Sequence, residues 1–329
     1  MTYDTDSRKP GGHFQRGLSL VELLVSLAIS IVIALAAASA YLGTRSTATA
    51  MANISTLNET GKLALDMIGR DLQMAGYYPA IIPSSSTTSN MMGSFSNTKN
   101  TAYPAYNQGL FGCAGGQFNP TTGACPAVVA NAPDSIVINY FAQVELDATT
   151  FGSGFDCLRQ PVSNDTSNVA GKPQYVSNRF GLVDTSYTAA GASPTVRTVN
   201  TKSLACNGNG KNPEDTVYQP IFEGIEDLVF RYGANAGAGS QSPETYYTAT
   251  EISALPTVNG TNGWQRVTSV HVCVLTRSLE NTRTQDKPGT LRTYTDCRGN
   301  VKTYDIGERA LFKRFDRFFA IRNNLNGIF

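Results

Sequence analysis

Histidine is scarce in this chain, no two cysteines stand close together, and positive charge barely exceeds negative; each shortage removes a class of function. The only histidines are His13 and His271, and none of the six cysteines sits at CxxC spacing, so a zinc site lacks ligands at the usual intervals and no metal is implied. No GxSxG elbow occurs, and a Ser-His-Asp triad would have to recruit His271 from a segment that alternates like a strand. The adjacent carboxylates Glu226 and Asp227 fall in another strand-like segment, where neighbours point to opposite faces and cannot share acid–base work. The run GANAGAGSQSP at 233–243 reads as a flexible loop without the spacing that cradles a phosphate. Together these absences point away from an enzyme and require no cofactor.

Charge is equally restrictive. The formal net charge is +1, and Arg8, Lys9 and Arg16 set against Asp4 and Asp6 account for all of it before residue 18. Nucleic-acid binding draws on a clear basic excess, so the neutral remainder argues against such a partner. One basic cluster exists, Arg309, Lys313, Arg314, Arg317 and Arg322, but Glu308, Asp316 and large aromatics are interleaved with it. It reads as a solvated strand face.

What is present is the composition of a folded chain, 41% hydrophobic and 16% charged over 329 residues. Abundant Gly, Ser, Thr and Asn, with aromatics scattered through the second half, suit strands joined by many turns.

The N-terminus is the most specific stretch. Residues 18–43, LSLVELLVSLAISIVIALAAASAYLG, carry one charge, Glu22, and no proline. As a helix they would extend roughly 39 Å, and about 20 residues already span a bilayer. The preceding basic residues keep the N-terminus cytoplasmic and send residue 44 onward across. A carboxylate in such a helix costs on the order of 2.5–3.5 kcal/mol at the bilayer centre, less toward its edge, so Glu22 calls for a role. A cut between Gly17 and Leu18 would create an α-amine one turn before Glu22. Pairing of that amine with a neighbour's Glu22 would hold adjacent helices at a fixed axial offset. Ser19, Glu22, Ser26 and Ser30 share one face, where small residues let helices approach. A competing reading is that AAASA, residues 36–40, is an ordinary signal-peptidase site releasing a soluble protein that begins at Tyr41.

RGLSLVELLVSL, residues 16–27, resembles the cleavage and methylation motif of type IV prepilins, with a basic leader ending in Gly and Glu at the fifth mature position. Leu18 stands where the family usually has Phe. The blocks ALDMIGRDLQMAGYY (64–78), GIEDLVFRYG (224–233), VTSVHVCVLTRS (267–278) and RALFKRFDRFFAIRNN (309–324) resemble PilW-type minor pilins in the family's order. The resemblance implies cleavage after Gly17, N-methylation of Leu18, and an assembly role for Glu22. It also implies a non-catalytic minor pilin that primes pilus assembly at or near the tip. The implied partners are the prepilin peptidase, the inner membrane, other minor pilins, the major pilin and a large tip adhesin. The head would be periplasmic before assembly and extracellular in the pilus after it. A minor pseudopilin of a type II secretion system shares this anchor and is the nearest alternative.

The expected fold class is α+β, type IV pilin-like: a long N-terminal helix packed on an antiparallel sheet head. Its expected divisions are a leader (1–17), a transmembrane helix (18–43), an amphipathic continuation (44–76), a loop-rich excursion (77–133) and a β-rich head (134–329). Ile54, Leu57, Gly61, Ala64, Ile68, Leu72 and Ala75 form the apolar stripe of the continuation, which Gly76 and Pro79 should end. Strand signals lie at 136–141, 225–232 and 267–276, the last with Val270, Val272 and Val274 on one face. A strand at 311–321 rests on the resemblance alone. Six cysteines in an exported domain imply disulfides with fifteen possible connectivities. Proximity along the chain favours Cys113 with Cys125, Cys157 with Cys206, and Cys273 with Cys297, each contributing about 2–4 kcal/mol.

Overall fold

The computed structural model describes residues 19–77, 104–142, 154–164, 174–189, 197–211, 216–235, 242–279, 292–304 and 310–323. The chain divides into two compact units, residues 1–50 and 51–329. A single helix, α1 (Leu20–Met74), begins in the first and ends in the second. In the first unit the helix is exposed along its apolar length, from Leu20 (74%) to Leu42 (59%), and it is long and apolar enough to cross a membrane.

In the second unit α1 buries Leu57, Gly61, Ala64, Leu65, Ile68, Gly69 and Leu72. Ile54, expected in that stripe, is instead 47% exposed. The helix stops at Met74, and Gly76 adopts φ +74°, which L side chains rarely tolerate. Its N–H then donates to the Asn139 carbonyl at 2.9 Å, turning the chain toward the sheets.

Two antiparallel sheets receive the helix. The first comprises β1 (Leu110–Cys113), β2 (Ser135–Ala142), β3 (Gln174–Ala189), β4 (Arg197–Asn207) and β5 (Gln219–Glu223), paired in that order. The second is built from β6 (Ile225–Ala234), β7 (Thr245–Tyr247), β8 (Val267–Arg277) and β11 (Phe312–Ala320), in the order β11-β8-β6-β7. A separate hairpin joins β9 (Arg292–Thr295) to β10 (Val301–Tyr304). A short helix, α2 (Ala249–Ala254), follows β7, capped reciprocally by Thr248 and Glu251. One core takes Ala64, Ile68 and Leu72 from α1, Ile136, Ile138 and Phe180 from the first sheet, and Leu228, Phe230, Val270, Val272 and Val274 from the second.

The excursion expected at 77–133 contains one short strand where it is described. Leu110–Cys113 is a strand paired with β2, and Tyr106, Phe118, Cys113 and Val137 make a second small core. Its weak periodicity hid this, because the buried residues are supplied by turns as well as by a short strand. Residues 78–103 of that span lie outside the described residues.

All six cysteines are paired: Cys113–Cys125, Cys157–Cys206 and Cys273–Cys297, with Cα separations of 5.4, 6.5 and 5.7 Å. The first closes the turn after β1. The third ties β8 to the turn of the β9–β10 hairpin. Arg298 Nη1 in that turn donates to both carboxylate oxygens of Asp227 at 2.8 and 2.9 Å and Nη2 reaches the Ala132 carbonyl, so the hairpin is held by a covalent bond and by a largely buried ion pair.

Candidate assembly interface

The apolar start of α1 has a polar face with its own local chemistry. The Ser19 hydroxyl accepts from the Glu22 backbone N–H at 3.2 Å, capping the helix, and Glu22 lies in the first turn, where a carboxylate complements the helix dipole. Ser26 donates to the Leu23 carbonyl at 2.9 Å and Ser30 to the Ser26 carbonyl at 2.7 Å. Those two hydroxyls are satisfied within their own helix. What singles out this surface is therefore Glu22, one charge on a long exposed apolar helix. Gly17 and Leu18, the expected processing residues, lie outside the described residues.

At the other end of α1, strand β11 runs along the helix in matched steps. Lys313 donates to Asn58 Oδ1 at 2.6 Å, and Arg317 pairs with Asp66. Alternating with these contacts, the rings of Phe315 and Phe319 lie directly over Gly61 and Gly69. Eight helical residues rise roughly 12 Å and four strand residues advance about 13 Å, so two rings four apart fit two glycines eight apart. Asn323 closes the row by donating to the carbonyls of Gln73 and Ala75 at 3.3 and 3.2 Å.

These contacts place the basic cluster. Lys313 and Arg317 are turned to α1, while Arg314 grips Asp316 on the opposite face at 2.7 and 2.8 Å. Arg322 is exposed, and Arg309 with Glu308 lies outside the described residues. Of the cations within β11, Lys313 and Arg317 thus lie on one face and Arg314 on the other. Glu226 and Asp227 are likewise separated: Glu226 accepts from Thr201 at 2.7 Å and faces Arg277, whereas Asp227 holds Arg298. The loop 233–243 is described only at its ends, residues 233–235 and 242–243. Among the described residues no three His, Cys, Asp or Glu side chains gather as metal ligands.

Sequence reading missed two pairings. His271 Nε2 lies 3.0 Å from Asp316 Oδ1, across the β8–β11 pair. Asp71 accepts from Asn178 Nδ2 at 2.8 Å, and burial, opposed by that hydrogen bond and reinforced by nearby Asp156, pushes its pKa up to about 7. Neither partner is near in sequence, so no local pattern could reveal them.

The family described as type IV pilus-assembly protein W, PilW, matches residues 187–323, from the end of β3 through β11. The prokaryotic N-terminal methylation motif matches residues 13–38. No curated protein and no solved structure matches the chain. The matches point to a structural pilus-assembly protein and to no known enzyme family. The motif and the apolar helix support an inner-membrane-anchored pilin that interacts with other pilus components and with the prepilin peptidase. The two matches, the exposed apolar helix and the antiparallel sheets together support a type IV pilus minor pilin of PilW type.

Proposed function

We propose that this minor pilin primes assembly of the type IV pilus at or near the tip and catalyses no reaction. The observation that carries the reading is the double use of α1: an exposed apolar helix with one carboxylate at its start, and the packing surface of a large folded unit at its end. A unit of residues 51–329 is bulky for repeated packing along a narrow shaft, which favours a position at an end. In this reading residues 1–17 are a cytoplasmic leader, the peptidase cuts between Gly17 and Leu18 and methylates Leu18, and residues 18–43 anchor the chain. The head is periplasmic and becomes extracellular in the pilus, stabilised by its disulfides. Its neighbours are other minor pilins, the major pilin and a large tip adhesin.

The processing step is tested by the mass of the N-terminal peptide isolated from cells with intact export machinery. A peptide beginning at methylated Leu18 is expected; one beginning at Tyr41 would make the chain a released periplasmic protein and end the pilin reading. Glu22 is tested separately. Glu22→Ala is expected to leave the protein in the membrane fraction but to deplete it at least about tenfold from sheared pili, since a charge pair in apolar surroundings is worth well over 1.4 kcal/mol. Normal levels of the variant in pili would remove Glu22 from assembly. The same depletion measured in secretion-system filaments instead of pili would favour the pseudopilin alternative.

A further inference from the structure

The outer face of the second sheet, turned away from α1, is only half covered. Over its lower rows sits the β9–β10 hairpin: Val229, Cys273 and Leu275 pack with Cys297, while Tyr294 stacks on Phe312 at 4.2 Å. Beyond the hairpin run two cross-strand rows, Arg231–His271–Phe318 and Gly233–Ser269–Ala320, in which Gly233 is buried under Tyr246 and Pro243 while Phe318 and Ala320 are exposed. Paired residues share a face, so these side chains form one surface. Phe318 is 62% exposed and Tyr246, which lies over Gly233, is 40% exposed.

The surface is ordered. Phe318 stacks on the His271 ring at 4.4 Å, and Tyr246 meets Phe318 edge-on at 5.5 Å. The Tyr246 and Ser269 hydroxyls are 3.0 Å apart, His271 is held by Asp316, and Arg314 holds Asp316 in turn. Each exposed ring is therefore bordered by hydroxyl, imidazole, carboxylate or guanidinium groups already fixed in place.

Area and chemistry decide what fits. Two rings at these exposures offer roughly 200 Å² of aromatic surface, taking 150–250 Å² for each ring. A stable protein interface needs about 800 Å² per partner, with an apolar core depleted of charge. The two rings supply about a quarter of that, and the groups around them, His271, Ser269, Asp316 and Arg314, are polar or charged. It suits a ligand of one to three rings that is apolar on its flat C–H face and hydroxylated around its rim. We propose that the open half of this face binds saccharide, with Phe318 and Tyr246 stacking on pyranose C–H faces. Ser269 and Asp316 hydrogen-bond the ring hydroxyls. The electron-rich ring faces attract the C–H edge of the sugar, and fixed polar side chains reduce the ordering cost of binding.

The test uses the full chain in a micelle of a zwitterionic, sugar-free detergent, with saturation-transfer NMR to maltotriose, lactose and chitotriose at millimolar concentration. Transfer to ring C–H protons of at least one sugar is expected, with affinity about tenfold weaker in Phe318→Ala and retained in Phe318→Tyr. Because Phe318 is mostly exposed, the unfolding midpoint of each variant should match the parent, which separates lost binding from lost folding. No transfer to any of the three sugars, or equal transfer to parent and Phe318→Ala, overturns the proposal. So does a change in self-association or in co-purifying pilus subunits caused by Phe318→Ala without any sugar signal, since that would make the face a protein contact.

Discussion

Gly69→Ala destabilises the head by about 1–3 kcal/mol, even though alanine is the better helix former by about 1 kcal/mol in a helix interior. The reason is the ring of Phe319. A Cβ built on Gly69 would overlap it, with even the third-nearest ring atom at 2.9 Å. Phe319 is only 5% exposed and sits opposite Val270, so it has nowhere to withdraw. Gly61→Ala is the internal control. Its Cβ would meet Phe315 in the same way, but Phe315 is only partly buried and can swing outward. The expected order of urea midpoints is parent, then Gly61→Ala, then Gly69→Ala. Gly69→Ala combined with Phe319→Leu should recover part of the loss, because the smaller side chain vacates the seat. Equal midpoints for parent and Gly69→Ala would mean that β11 does not dock on the helix as described.

Asp71 makes the stability of the head depend on pH in the direction opposite to that of an ion-paired carboxylate. Its pKa is pushed up to about 7 from an ordinary value of 3.8, mainly by burial. Between those values the folded chain holds a proton that the unfolded chain has released. Stability therefore falls as pH rises from about 4 to about 7, and changes no further above that. Burial also raises Asp134, which acts in the same direction, so the informative quantity is the gap between parent and variant. Asp71→Asn keeps a polar side chain beside Asn178 and removes the charge. The variant's advantage over the parent should grow between pH 5 and pH 8 by about 2–3 kcal/mol, which is several degrees in thermal midpoint for a unit of this size. A gap that stays constant between pH 5 and pH 8 would show that Asp71 ionises normally.

Much was legible in sequence where the pattern is local. Residues 18–43 announce themselves by length and by a single charge, and Val270, Val272 and Val274 alternate within one strand and are all fully buried. The strand Phe312–Ala320 was not legible in that way, since FKRFDRFFA mixes helical and strand spacing. Its identity comes from partners, β8 on one edge and α1 across one face, and from two glycines that look like helix weaknesses when read alone.

The sequence by itself determined the elements whose cause lies within a few residues: the apolar anchor helix with Glu22 in its first turn, the stop at Gly76, and the alternating strands. It also determined that six cysteines would be available, while fifteen ways of joining them remained open. Only the tertiary structure decided that the first strand lies inside the supposed excursion. It alone joined the Cys273–Cys297 hairpin to the sheet face through Arg298 and Asp227, which are 71 residues apart, and left Phe318 and Tyr246 uncovered beside it. The division follows from range. Backbone hydrogen bonding and periodic burial act between near neighbours and leave a mark in the order of residues, whereas ion pairs, ring seats and exposed faces depend on which distant segments the fold brings together.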